Sequence, residues 1–379
     1  MKSTLFGGRL NRILLPLLFF AFSSTAAELV VPLGLPDIPS QFRTRGDRRA
    51  ALGEKLFFDT HLSADGTVSC ASCHIPQRNF TDGRALAVGI DRQIGTRNVP
   101  SLYNVVFANA LFWDGRAGSL ESQAKLPLLN SREHGLVSES KLLFAIEGSP
   151  AYRKQFTREF RQSRITTQSV MVAIATYERT LLSGDSPFDR YFYGGDQSAM
   201  TAAAIRGLEF FRGRAGCATC HIIGKTSALF NDQGFHASPT ELPDSVNSAL
   251  VELTQRAVDV HKNGDPNELN SLIGSNSGIA ALGRFLVTRV PSDIGLFRTP
   301  SLRNVAATAP YLHDGSIATL EEVVEAELYN RAGEVRSPIV ATTEERADLI
   351  EFLKTLSSSQ RDSRPSYPSR GPPQGVSRP

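Results

Sequence analysis

The sequence predicts a mainly α-helical protein built from two related domains on one chain. A Cys-x-x-Cys-His pentad occurs twice, at Cys70-Ala71-Ser72-Cys73-His74 and at Cys217-Ala218-Thr219-Cys220-His221. A block running from Pro100 to Glu121 returns, without a gap, 200 positions later. The surrounding segments carry apolar residues at helical spacing behind capping residues. A chain of 379 residues is long enough for two proper cores.

The N-terminus carries Lys2, Arg9 and Arg12, then an apolar run from Ile13 to Phe22, then the small residues Ser23 to Ala27. This is the pattern of a signal peptide over residues 1–27. The run is shorter than the roughly 20 residues that span a bilayer, although an uncleaved anchor is the alternative. Export to a bacterial periplasm is expected. The formal charge of +3 comes from the two ends; without residues 1–27 and 357–379 the chain has 34 basic and 37 acidic side chains, a net of −3. A mildly acidic body offers no nucleic-acid surface. Residues 357–379, rich in Pro, Ser and Gly, are expected to be disordered.

Between these ends, the repeat sets the organisation. Pro100-Ser101-Leu102-Tyr103-Asn104-Val105 returns as Pro300-Ser301-Leu302-Arg303-Asn304-Val305, Asp114-Gly115 as Asp314-Gly315, and Leu120-Glu121 as Leu320-Glu321. Each copy lies downstream of one pentad, and each pentad follows a Phe pair, Phe57-Phe58 or Phe210-Phe211. The expected domains are 28–185 and 186–356, parted at Ser183-Gly184-Asp185-Ser186-Pro187, with an insertion from roughly Asn231 to Ile294 in the second. Ser119 starts one helix. Thr319 with Glu322 forms a capping box that opens another through about Leu328, and Thr342 with Glu345 opens a third. Thr167 to Leu182 and Thr201 to Phe211 are also read as helical.

Cys-x-x-Cys-His has a geometric meaning. Two thiols bond to the two vinyl groups of one porphyrin, and the adjacent His falls beneath the iron. All four cysteines of the chain belong to the two pentads. A zinc site made by two Cys-x-x-Cys pairs and a thioredoxin-type redox pair are the rivals; neither calls for a His after the second Cys, twice. The reading is two covalently bound c-type haems, held by Cys70, Cys73 and His74 and by Cys217, Cys220 and His221. The fold class becomes two cytochrome c-like haem domains related by an internal repeat. Trp113, the only tryptophan, stands opposite His313 in the repeat. It is either core or a carrier of an electron or hole between haems.

With these motifs joined by Phe112-Trp113-Asp114-Gly115-Arg116, Leu129-Asn130-Ser131-Arg132-Glu133 and Ala309-Pro310-Tyr311-Leu312-His313-Asp314-Gly315, the sequence resembles the bacterial diheme cytochrome c peroxidases and the related MauG enzymes. The resemblance runs from Leu52-Gly53-Glu54-Lys55-Leu56-Phe57-Phe58-Asp59 to the last helix. It implies that Trp113 lies between the haems, that Glu133 is the acidic residue above the peroxidatic first haem, and that Pro127 lines the same pocket. It implies a calcium ion held by Asn98, Thr308 and the carbonyl of Pro310, completed by water.

The sequence departs from that pattern twice. Relatives that place a second His over the first haem have no counterpart here, because no His lies between His74 and Glu133. The matching stretch is Val88-Gly89-Ile90-Asp91-Arg92-Gln93, so the first haem is expected to be open without reductive activation, with His134 the possible exception. On the second haem, the position of the usual Met falls on Glu327, and the methionines are Met1, Met171 and Met200. MauG-like relatives use a Tyr, and Tyr329 resembles it displaced by two positions. Tyr329 is therefore the preferred axial ligand, on condition that its helix ends or distorts nearby, and Glu327 is the alternative.

The resemblance implies a periplasmic peroxidase acting on hydrogen peroxide, supplied by a small cytochrome c or copper protein. The alternatives are a MauG-like enzyme that oxidises residues of a partner protein and a non-enzymatic electron carrier. A homodimer is compatible with either enzyme. The purified protein is expected to carry two haem masses that survive denaturation and acid–acetone extraction. Zinc without covalent haem would end the reading.

Overall fold

The structure, a computed structural model, describes residues 30–42, 48–240, 242–262, 264–334 and 339–358, without the side chains of 330–334. The expected signal peptide lies outside the described residues, as does the tail beyond Ser358. The chain is mainly helical. Its one sheet among the described residues pairs Phe235–Ala237 antiparallel with Leu296–Arg298, in the register Phe235 to Arg298. No described helix is long and apolar enough to cross a membrane.

Each half is organised around a helix crossing that a glycine permits. In the first, Arg48–Phe57 packs on Thr167–Glu178. A Cβ on Gly53 would stand 1.9 Å from the carbonyl oxygen of Ala173. In the second, Ala202–Arg212 packs on Thr343–Lys354, and a Cβ on Gly207 would stand 2.0 Å from the carbonyl oxygen of Asp348. At both crossings the backbones touch, so any side chain there would force the helices apart. Phe57 and Phe211, each four residues after its glycine, are fully buried.

Local geometry recurs at positions 200 apart. Asn104 and Asn304 both take left-handed backbone, with φ of 64° and 61°, a conformation asparagine tolerates better than most residues. The Oγ of Ser101 donates to the Asn79 carbonyl and that of Ser301 to the Leu229 carbonyl, both at 2.7 Å. Isolated bridges pair Leu111 with Ala117 and Tyr311 with Ile317.

The expected helix starts hold: Ser119, Thr319 and Thr342 each accept a hydrogen bond from the backbone three residues on. The Leu320–Glu334 helix runs past Leu328. The strands Phe235–Ala237 and Leu296–Arg298 pair at the base of the segment expected as an insertion. Between the strands lie the helices Asp244–Ser248, Leu250–Lys262, Pro266–Ser275, Ser277–Ala281 and Phe285–Thr288, with a small core of their own around Leu253, Ile273 and Leu282. At the other end, Ser358 is part of the packed chain: its N–H donates to Asn304 Oδ1 at 3.0 Å and its Oγ to the Gly184 carbonyl at 2.7 Å.

A buried ion pair ties the N-terminal segment to the second half. The Arg303 guanidinium donates to both oxygens of Asp189 at 2.8 and 2.9 Å, to the Gly34 carbonyl at 2.7 Å and to the Ala228 carbonyl at 2.7 Å. Both side chains are essentially fully buried. Removing one partner strands a buried charge, so Asp189→Ala should lose about 3–5 kcal/mol of stability in a denaturant titration. A loss under about 1 kcal/mol, the range of an exposed pair, would contradict this account.

Candidate functional site

Both pentads fold into a single helical turn that ends on the histidine. The N–H of His74 donates to the Cys70 carbonyl and that of His221 to the Cys217 carbonyl, each at 2.9 Å. Each ring is then oriented by a carbonyl further along the chain: His74 Nδ1 lies 3.0 Å from the oxygen of Phe80, and His221 Nδ1 lies 2.8 Å from that of Phe230. A metal-binding histidine is held this way, with one nitrogen on a carbonyl and the other turned to the metal. Burial pulls the His74 pKa down to about 4, which keeps the imidazole neutral, as a ligand must be. Burial also pushes the Cys70 thiol up, helped by Glu178, and the Cys73 thiol up to about 12, helped by Glu133.

These residues fit haem. None of the four cysteines is in a disulfide, and they lie two to a turn; His221, Cys217 and Cys220 line a cavity of about 290 Å³. Cationic and imidazole nitrogens are buried without a partner at Arg97 Nε and Nη1, Arg116 Nε and His313 Nδ1, as anionic groups such as propionates would require. Zinc fits less well. Cys220, Asp232 and His236 place ligand atoms within 4.8 Å of one another. The Asp232 carboxylate there already accepts from Gly234 N, Thr299 Oγ1 and His236 Nε2, each at 2.7 Å.

Glu133 is brought to the first pentad by the turn after the Leu120–Leu129 helix. Pro127 sits in the last turn of that helix, and its carbonyl accepts from the N–H groups of Asn130 and His134. Glu133 Oε1 accepts from Asn130 Nδ2 at 2.8 Å. Burial raises the Glu133 pKa, opposed by the positive charge of Arg116 and by the Asn130 hydrogen bond. The stretch Val88–Gln93 is clamped under this turn. Ile90 N donates to the Glu133 carbonyl at 3.0 Å, and a Cβ on Gly89 would stand 1.9 Å from the carbonyl oxygen of Arg132. His134 turns away, with Nδ1 2.7 Å from the Leu62 carbonyl.

Trp113 joins the halves. Its Nε1 donates to the Asn98 carbonyl at 2.9 Å, and its own carbonyl accepts from Arg298 N at 2.8 Å. Trp113, Asn98, Thr308 and Pro310 line the same cavity as His221. Asn98 Nδ2 donates to the Arg84 carbonyl at 2.9 Å, and Thr308 Oγ1 to the Val305 carbonyl at 3.2 Å.

Tyr329 requires a correction. Its helix neither ends nor distorts there but continues to Glu334. Tyr329 is 82% exposed and lies outside the cavity, which Glu327 lines. Sequence reasoning also passed over Asn130 and Arg116, which set the charge of Glu133, and Arg97 at the buried centre. The first two stood inside motifs already singled out.

Two Cys-x-x-Cys-His turns, one within electrostatic reach of the Glu133 carboxyl and one opening on a cavity that reaches Trp113, fit a protein that carries two c-type haems. The sequence profile of the family described as Di-haem cytochrome c peroxidase matches residues 47–198. The chain is 34% identical to the methylamine utilization protein MauG of Methylorubrum extorquens over 316 residues, 81% of this chain and 78% of that protein. It is 35% identical to the cytochrome-c peroxidase IdrP1 of Denitromonas iodatirespirans over 346 residues, 87% and 86% of the two chains. The crystal structure of a MauG-like protein associated with microbial copper homeostasis superposes with a TM-score of 0.66 at 30% identity, covering 88% of this chain and 94% of that one. The chain belongs to the di-haem cytochrome c peroxidase family, which implies two c-type haems.

Asn130 and burial act on Glu133 in opposite senses. Asn130→Ala removes a hydrogen bond that favours the carboxylate, so the Glu133 titration should move to higher pH. Infrared difference titration, with Glu133→Gln as the blank, reads this directly; an unmoved or lowered titration would contradict the assignment.

Proposed function

We propose that the protein is a periplasmic peroxidase that cleaves hydrogen peroxide at the haem of the first pentad and draws electrons through that of the second. The two halves are read as cytochrome c-like haem domains, 28–185 and 186–356, and the recurrence of the Ser101/Ser301 and Asn104/Asn304 geometry supports this. The observation that carries the function is Glu133. It is a buried carboxyl with a raised pKa, close enough to the first pentad to act electrostatically on both of its thiols.

Haem, when bound, supplies the iron at which the O–O bond breaks and two oxidising equivalents are held. The chain supplies the rest. Glu133 Oε1 is held by Asn130, which leaves Oε2 to take a proton from the near oxygen of peroxide and return it to the far one, so that water can leave. Pro127 fixes the turn that carries Glu133. A raised pKa suits both halves of the task, since one group must accept and then donate near neutral pH. Trp113 offers an aromatic ring between the two sites. In the same reading Asn98, Thr308 and the Pro310 carbonyl hold calcium, an ion that takes oxygen ligands and water; their lining of one cavity supports it. The electron donor is a small periplasmic cytochrome c or copper protein.

A second reading, a MauG-like enzyme that oxidises side chains of a partner protein, is favoured by the methionines. Met171 and Met200 are buried in the apolar cores of the two halves and do not line the cavity. A thioether, which favours ferrous iron, is therefore not offered to the second haem. Glu133→Gln keeps the size of the side chain and removes its proton. Peroxide cleavage by the purified holoprotein should slow by roughly 10²–10⁴ with haem content unchanged. An unaltered rate would remove Glu133 from the reaction.

A further inference from the structure

Two of the hydrogen bonds that join the halves are reciprocal across the 200-residue offset. Asn98 N donates to the His313 carbonyl and Arg298 N to the Trp113 carbonyl, each at 2.8 Å. Residue 98 reaches 313 and residue 298 reaches 113, so positions 98 and 298 hold equivalent places at the junction. Their side chains differ. Asn98, in the reading above, shares an oxygen site with Thr308 and the Pro310 carbonyl. The residues 200 positions before these two are Ala108 and Ala110, which offer no side-chain oxygen, and position 298 carries a guanidinium. One side of the junction offers ligands for a cation; the other has a cation built into the chain.

Arg298 lines the cavity that holds Cys217, Cys220 and His221. The strand Leu296–Arg298 and the bond to Trp113 fix its backbone, and its Nε lies 3.4 Å from the Phe112 carbonyl. Burial lowers its pKa and no acidic neighbour raises it again, whereas Arg97 feels both Asp114 and Asp314. Arg303, the other guanidinium on the cavity wall, is taken up by Asp189, Gly34 and Ala228. His313 Nδ1 is also buried without a partner. Burial and the Arg97 charge pull the His313 pKa down to about 4, so that ring brings no positive charge at neutral pH. A buried guanidinium calls for an anion.

We propose that Arg298 binds a propionate carboxylate of the haem held by Cys217, Cys220 and His221. The inference rests on the reading of that pentad as a haem site. A planar guanidinium can hold a carboxylate by two parallel hydrogen bonds. Its charge disfavours the extra positive charge of ferric iron, so it raises the potential of this haem.

The test uses purified holoprotein, as wild type, Arg298→Lys and Arg298→Gln, made with aminolevulinate carrying carbon-13 in the carboxyl that becomes the propionate. Haems are counted by mass after denaturation and both midpoint potentials are titrated. Oxidised-minus-reduced infrared spectra pick out the propionate bands by their isotope shift. In Arg298→Gln one labelled carboxylate band should move and the potential of one haem should fall. Arg298→Lys, which keeps the charge, should hold that potential near the wild-type value. Its labelled band should still move, because an ammonium cannot make the paired bonds, and this decides the matter if Arg298→Gln loads haem poorly. Unmoved bands in both variants, or a potential that falls as far in Arg298→Lys as in Arg298→Gln, would overturn the proposal. A wild type with fewer than two covalent haems would instead overturn the haem reading beneath it.

Discussion

Three hydrogen bonds around Asn98 set the relation between the two halves. Asn98 N donates to the His313 carbonyl at 2.8 Å, Trp113 Nε1 to the Asn98 carbonyl at 2.9 Å, and Arg298 N to the Trp113 carbonyl at 2.8 Å. Every one ends on a backbone carbonyl. Two of the three cross between halves. Buried backbone groups that lose their partners are costly, so a shift of one half against the other would orphan several at once. The orientation of the pentads, the place of Trp113 and the shape of the cavity all follow from this register.

Electrostatics at the same place is a balance of burial against fixed charge. Asp114 is fully buried and accepts from Arg116 Nη1 at 2.9 and 3.0 Å, with Arg97 Nη2 at 3.5 Å. Burial, helped by the charge of Arg116, pulls the Arg97 pKa down to about 10, against the pull of Asp114 and Asp314. Arg116 also reaches Glu133 through space and holds its pKa below what burial would impose. The Trp-Asp-Gly-Arg segment thus carries, within four residues, the link between halves and a charge that tunes the Glu133 carboxyl.

Much of this was legible in the sequence because it is encoded in short range. Pentads, caps at Ser119, Thr319 and Thr342, and the block repeated after 200 residues are local patterns. Glu133 and Trp113 were reachable through motif resemblance. Tyr329 was reached through the tyrosine of MauG-like relatives, displaced by two positions, on condition that its helix end or distort there, and the helix instead runs on to Glu334 with Tyr329 exposed. The 3.6-residue period placed Glu327, not Tyr329, on the stripe with Val323 and Val324. The Phe pairs misled in a smaller way. Phe57 corresponds to Phe211, the residue four beyond the crossing glycine, while Phe58 is half exposed. The roles of Arg97 and Asn130 depend on contacts made only after folding, which no spacing reveals.

The insertion between the two strands packs against the first half rather than extending away from it. Arg284 Nη1 donates to the carbonyls of Asp114 and Gly115 at 3.1 and 3.2 Å, Arg116 Nη2 to Asn270 Oδ1 at 3.0 Å, and Arg97 Nη2 to the Ala280 carbonyl at 2.6 Å. Its helices therefore stand where solvent would otherwise surround the Trp113 loop. A hole residing on an indole in water must drag the solvent with it each time it arrives or leaves. Fixed guanidinium and amide dipoles, already oriented by the fold, do not rearrange in that way. On the proposed reading, in which charge passes through Trp113, the inserted helices lower the reorganisation energy of that passage.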